Sequence, residues 1–170
     1  MIRKITIPEN PNEYQEAKER MARVPITNKQ IITKVGFGSK KKKYSIDGIY
    51  YYLYKVTCSI TGCIFISGCA SEIDPDLDKH LMPGIPGRKP YEIYKKGKIC
   101  LKGSVSSYGK ENHRREQLLY FDSLSDLLKA EASVVDVDFR TDERTLNYHF
   151  HFDYDKIDKF EGYRLNSLVK

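Results

Sequence analysis

The chain reads as an α+β domain, a small, mainly antiparallel sheet flanked by helices and preceded by an N-terminal arm. Three observations predict this class. Residues 50–68, YYYLYKVTCSITGCIFISG, are two runs rich in aromatic and β-branched residues joined at Ser59-Ile60-Thr61-Gly62, the pattern of a hairpin. Arg115 to Phe121, REQLLYF, has the composition of a further strand. Directly after it, Leu124, Leu127, Leu128, Ala132 and Val135 recur at spacings of three and four, the stripe of an amphipathic helix. At 170 residues and 40% apolar composition, the chain is long enough for one ordinary core and too short for a second enzyme domain.

Taken in order, residues 2–7 (IRKITI) are expected as a short strand. Asn10-Pro11-Asn12-Glu13 reads as a helix start, with Asn10 as cap, Pro11 in the first turn and Glu13 completing a capping box. That helix runs to about Arg23 and Pro25 stops it; its thin stripe of Tyr14, Ala17, Met21 and Val24 needs another element to pack on. Ile31 to Val35 is expected as a strand, and Gly36-Phe37-Gly38-Ser39-Lys40-Lys41-Lys42-Lys43 as a linker. Residues 1–45 are therefore an arm or subdomain, and 46–170 the main domain with a C-terminal extension.

Ser45 to Val56 is expected as the first hairpin strand, with Tyr50, Tyr52 and Tyr54 on one face by period two, and Cys63 to Ser67 as its antiparallel return. Residues 70–97 are rich in Asp, Pro, Gly and Lys, including Pro83-Gly84-Ile85-Pro86-Gly87, and read as a long loop of the kind that often carries function. Leu101 to Tyr108 is a short helix stopped by Gly109. Asp122 or Ser123 caps the helix after Phe121, and Lys129 and Glu131 are expected off its apolar stripe. Leu146 to Tyr154 alternates as a last strand.

A net charge of +6 suits a polyanionic partner and equally suits a solvated lysine surface. Lys40, Lys41, Lys42 and Lys43, with Lys95, Lys96, Lys98, Arg114 and Arg115, are the candidates to track a phosphate backbone, with neighbouring tyrosines to stack on bases. Cys58, Cys63, Cys69 and Cys100 lack C-x-x-C spacing, which argues against zinc. Cys58 and Cys63 could face each other across the turn, but a cytosolic setting disfavours a disulfide. His149 and His151 share a face, a weak metal signal alone. No run approaches the ~20 apolar residues of a membrane span, and the N-terminus MIRKITIPENP lacks the apolar core of a signal peptide, so a cytoplasmic location without membrane contact is expected.

Residues 106–139, SSYGKENHRREQLLYFDSLSDLLKAEASVVDVDF, together with the hairpin, resemble the GIY-YIG domain of bacteriophage free-standing homing endonucleases. In that family a helix ends in a Tyr-Gly-Lys-Glu-Asn-like sequence, a strand ends at a Phe-Asp pair, and an acidic helix follows. The resemblance spans residues 46 to about 150. The literal Gly48-Ile49-Tyr50 is a coincidence, because Tyr50 lies fifteen residues before Phe65, more than the family's hairpin allows. Tyr54, eleven residues before Phe65, is the counterpart of the first tyrosine.

The resemblance implies a metal-dependent phosphodiesterase acting on DNA in the cytoplasm of a host cell. Under it Tyr54 or His80 orients or deprotonates water, Asn147 steadies the site by hydrogen bonding, and Glu131 carries Mg²⁺ as the single carboxylate ligand. Three positions are altered. Phe65 stands for the second tyrosine and lacks its hydroxyl, Ser67 replaces a glycine, and Cys69 or Ala70 replaces an arginine that contacts the scissile phosphate. Loss of that cation removes stabilisation of a phosphorane-like transition state, so hydrolysis is expected to be weakened or lost. The competing readings are plain: Glu131 as a solvent-facing helix residue, Tyr54 as strand packing, and His80 as an exposed loop residue. The alternative function is a non-catalytic derivative, either a DNA-binding regulator or a protein that blocks a host enzyme through the 70–97 loop.

Overall fold

The computed structural model describes residues 25–87, 91–92, 100–147 and 150–151. The expected strand at 2–7 and the helix at 10–23 lie outside the described residues, as do Lys95, Lys96, Lys98 and His149.

Among the described residues the first element is a helix, α1 (Asn28–Val35), where a strand is expected from the β-branched run. Local chemistry overrides that propensity. Thr27 and Gln30 form a reciprocal capping box that satisfies the helix's first amides. Ile31 and Val35 then fall four apart on one buried face. Both belong to the same core as the sheet.

The hairpin forms as β1 (Tyr50–Cys58) and β2 (Ile64–Ser71), antiparallel, with Tyr54 opposite Ser67 and Val56 opposite Phe65. It starts later and returns further than expected. Residues 45–48 turn, with the Ser45 hydroxyl accepting from the Ile49 amide at 3.1 Å. Tyr91–Glu92 (β3) pairs with Phe150–His151 (β5) in a separate two-stranded sheet.

α2 (Leu101–Tyr108) and a 3₁₀ turn lead into β4 (His113–Phe121), the third strand of the main sheet, whose order is β2-β1-β4. α3 (Leu124–Val134), capped by the Ser123 side chain, and α4 (Val137–Thr141) follow. These agree with the expected helix, strand and helix. Between Leu53 and Tyr54 the β1–β4 register slips by one, since Leu53 faces Leu119 and Tyr54 faces Gln117. The extra residue lets Leu118 and Leu119 enter the same core.

That core lies on one face of the sheet, where Leu53, Ile66 and Leu119 meet Ile31, Leu124 and Leu127 of the two packed helices. The opposite face carries Tyr50, Tyr52, Tyr54, Phe65, Cys69 and Tyr120 under Leu101 and Leu146. As the central strand, β1 is covered on both faces and shows almost no apolar–polar alternation in burial. Each fully buried leucine, such as Leu53 and Leu127, contributes about 2 kcal/mol relative to exposure. Among the described residues no helix is long and apolar enough to cross a membrane.

Candidate functional site around the middle of β2

Period two along β2 sends Phe65, Ser67 and Cys69 to the face that bears Tyr54. The Tyr54 and Phe65 ring centroids lie 6.3 Å apart. Both side chains are buried, and the Tyr54 hydroxyl donates to the Pro83 carbonyl at 2.8 Å. Next to them Tyr52 is sealed in, and burial, with Cys69 alongside, pushes its phenol far above the ordinary range.

The covering layer is the loop of residues 72–87, and a single guanidinium fastens it. Arg115 donates to the carbonyl oxygens of Pro75 and Asp78, both at 2.8 Å, and of His80 at 2.5 Å. Gln117 adds a bond to Pro75 at 3.2 Å. Arg115 is thus engaged with backbone, 9% exposed, and is not presented as a phosphate contact. His80 sits on top of this loop with its side chain 77% exposed, its Nδ1 2.7 Å from Oδ1 of a buried Asp78. Burial works against ionisation of Asp78, but the amide and ring of His80, with Arg115, hold its carboxyl below the ordinary range.

Glu131 and Asn147 approach β2 from its outer edge. The Glu131 Oε2 accepts from the Gly68 amide at 2.5 Å. Asn147 accepts from the Ile66 amide at 2.9 Å and donates to the Ile66 carbonyl at 2.5 Å. The Ile64 amide donates to Arg144 at 2.9 Å, and the Leu146 amide to Ile64 at 2.7 Å. Edge groups of β2 are thereby satisfied by residues 144–147 and by the Glu131 carboxylate, which an exposed edge would leave open to another strand. Glu131 is 3% exposed and Asn147 1%. The expectation that Glu131 points away from the apolar stripe is corrected: it is buried with the stripe, because a strand amide is there to receive it.

Tyr54, Phe65, Ser67 and Cys69 therefore share one face of the hairpin, Glu131 reaches the Gly68 amide from the opposite side that bears Leu127, Asn147 holds the Ile66 edge, and His80 stands three residues along the loop from Pro83. Gly68 is the contact that residue-type reasoning passes over. A Cβ there would meet Glu131 Oε2 at 2.9 Å and Leu127 Cδ1 at 3.0 Å. Its signal is a glycine inside a strand pattern, which marks close approach.

A hydrated Mg²⁺ needs carboxylate oxygens open to the ion and room for water. The Glu131 Oε2 already accepts the Gly68 amide, and Glu131 is 3% exposed, which leaves no room beside it for a hydrated ion. The donor set as arranged does not fit the ion. Another polar pair, Ser104 Oγ and His113 Nε2 at 2.8 Å with His113 Nδ1 on the Gly109 carbonyl at 2.7 Å, resembles a nucleophile and base but is closed to solvent, with Ser104 1% exposed. It fastens α2 to β4.

Of the basic candidates, Lys40, Lys41 and Arg114 are exposed. Lys42 pairs with Asp74 and, at 3.1 Å, with Asp76, and Lys43 lies 3.8 Å from Asp122. No family model matches the chain, and no curated protein or solved structure matches it.

Proposed function

We infer that the chain is a GIY-YIG-type nuclease scaffold that interacts with DNA and whose phosphodiester hydrolysis is weakened or lost. The convergence of Tyr54, Phe65, Ser67, Glu131 and Asn147 on one short stretch of β2 carries this reading. Phe65 and Ser67 are neighbours on β2 and Tyr54 is their hairpin partner, so the weight falls on Glu131 and Asn147, which reach that stretch from distant sequence. The order of hairpin, helix, strand and acidic helix also matches what the resemblance implies.

The chemistry at those positions supports loss of cleavage. Phe65 has no hydroxyl to orient water, and under the resemblance buried Cys69 takes the position of the cation that would meet the phosphate. Removing one such electrostatic contact costs about 3 kcal/mol in the transition state. Tyr54 and Asn147 spend their polar atoms on protein backbone, and Glu131 accepts from the Gly68 amide. Plasmid incubated with excess protein and Mg²⁺ or Mn²⁺ stays supercoiled, while the protein is retained on DNA and released by salt. Nicking that disappears in Glu131→Ala overturns the loss of cleavage, and failure to bind DNA at low salt overturns the DNA reading.

A second reading, a protein that blocks a host enzyme, rests on the clamped loop, where Ile73, Leu77 and Met82 are 50%, 73% and 37% exposed. Large apolar side chains held outward on a fixed loop suit a protein surface. Retention of neither DNA nor metal favours it.

A further inference from the structure

We propose that residues 37–44 form a binding strap for single-stranded DNA, with Tyr44 as the platform on which an unpaired base stacks and Lys40 and Lys41 as its phosphate contacts. This rests on the DNA-interacting reading above and names the form of DNA and the surface that takes it.

The segment is anchored at both ends. Phe37 packs edge-on against Phe121 with ring centroids 5.5 Å apart. Gly38 has φ +103°, and a Cβ on it would meet the Phe121 ring at 2.8 Å, so only glycine lets the chain lie there. Ser39 then pairs antiparallel with Tyr120, amide to carbonyl at 2.9 Å and 2.7 Å, along the outer edge of β4. At the far end the Tyr44 ring lies 3.9 Å, centroid to centroid, from that of Tyr50. Lys42 sits 5.6 Å above the Tyr50 ring and is held by Asp74 and Asp76.

The lysine run is thus displayed between two aromatic rings, Phe37 at 43% and Tyr44 at 60% exposure. Lys42 is committed to the anchor and Lys43 leans toward Asp122, whereas Lys40 and Lys41 have no carboxylate partner among the described residues. Tyr44 already packs on one side against the Tyr50 ring, inclined to it by 41°, so binding costs it little rotamer freedom, and its 60% exposure leaves ring surface for a base. Duplex DNA keeps its bases stacked on one another; a single strand offers a free face. Aromatic surface beside unpaired lysines is the arrangement that grips single strands with little sequence preference.

Fluorescence anisotropy of a labelled 20-nucleotide mixed-sequence single strand and of the matching duplex tests this on the full chain. Expected is tighter binding of the single strand, weakened about tenfold by Tyr44→Ala and left near wild type by Tyr44→Phe. Lys40→Ala with Lys41→Ala is expected to lower the slope of log affinity against log salt by about 1.4. Unchanged affinity in Tyr44→Ala, with circular dichroism showing the variant folded, overturns the strap. Duplex bound as tightly as the single strand overturns it and leaves the DNA reading standing. Binding of neither overturns both.

Discussion

The side-chain amide of Asn147 pairs with both backbone groups of Ile66, accepting its N–H at 2.9 Å and donating to its C=O at 2.5 Å. Among the described residues no strand pairs along that side of β2, and Asn147 stands in for one. Asn147→Ala leaves a buried donor and a buried acceptor unsatisfied, at about 1–3 kcal/mol for each group. A loss of about 2–6 kcal/mol is expected in urea denaturation, and a loss under about 0.5 kcal/mol contradicts the edge role.

Glu131 offers a comparison of isosteres. Glu131→Gln keeps an oxygen for the Gly68 amide and is expected within about 1 kcal/mol of wild type, whereas Glu131→Ala costs about 1.5–3 kcal/mol. Neither variant changes a Mg²⁺-dependent shift in melting temperature, because the buried carboxylate is presented to Gly68 and not to solvent. A Mg²⁺ shift in wild type that Glu131→Gln abolishes restores the metal-ligand role.

The approach of α3 to β2 is set by a missing side chain. An alanine at Gly68 would press on Glu131 and Leu127, both buried. Overpacking of this kind costs about 1–3 kcal/mol. Gly68→Ala is expected to melt lower; an unchanged melting temperature shows that the helix can move aside freely.

Arg115 holds the 72–87 loop through three carbonyls. Arg115→Lys keeps the charge but not the forked geometry. Limited proteolysis is expected to cut within residues 72–87 faster in Arg115→Lys, and faster still in Arg115→Ala, at a temperature where both remain folded. Equal cutting rates in all three proteins remove the clamp.

Acid is expected to destabilise the fold in a defined window. The carboxyls of Asp47, Asp74, Asp78 and Asp136 all lie below the ordinary range. The Ser45 hydroxyl lowers Asp47 and the Lys42 ammonium lowers Asp74. Burial opposes the shift at Asp78 and Asp136, where His80 and Lys34 respectively prevail. Each folded value lies under the unfolded one, so the unfolded chain binds more protons in acid. The stabilisation is complete above the unfolded carboxylate range of about 4 and drains away as pH falls through the folded values. Melting temperature should be level from pH 7 to about 5 and fall below about 4, less steeply in Asp78→Asn. A melting temperature that climbs on acidification reverses the sign and overturns this.

Much of the fold is legible in local chemistry. The hairpin follows from its aromatic and β-branched runs, and α3 from Ser123 and its leucine stripe. α1 was legible too, in Thr27 and Gln30, but the β-branched residues between them and Gly36 favour a strand when propensity is weighed without the cap. The candidate site divides differently. Residue types and spacing point to Tyr54, Phe65, Glu131 and Asn147, but spacing does not say whether a carboxylate faces solvent or a strand amide.

The sequence by itself determined the class of the domain, the hairpin, the later strand with its capped helix, and the residue types that meet on β2. These depend on periodicity, caps and turns, which act over a few residues. Only the tertiary structure decided what those residues do. Gly68 lets Glu131 reach the strand edge, residues 144–147 return to cover it, and Arg115 draws the loop over Tyr54. Burial and hydrogen-bond partners are set by contacts between distant segments, so polar groups that chemistry would enlist for catalysis are here joined to backbone.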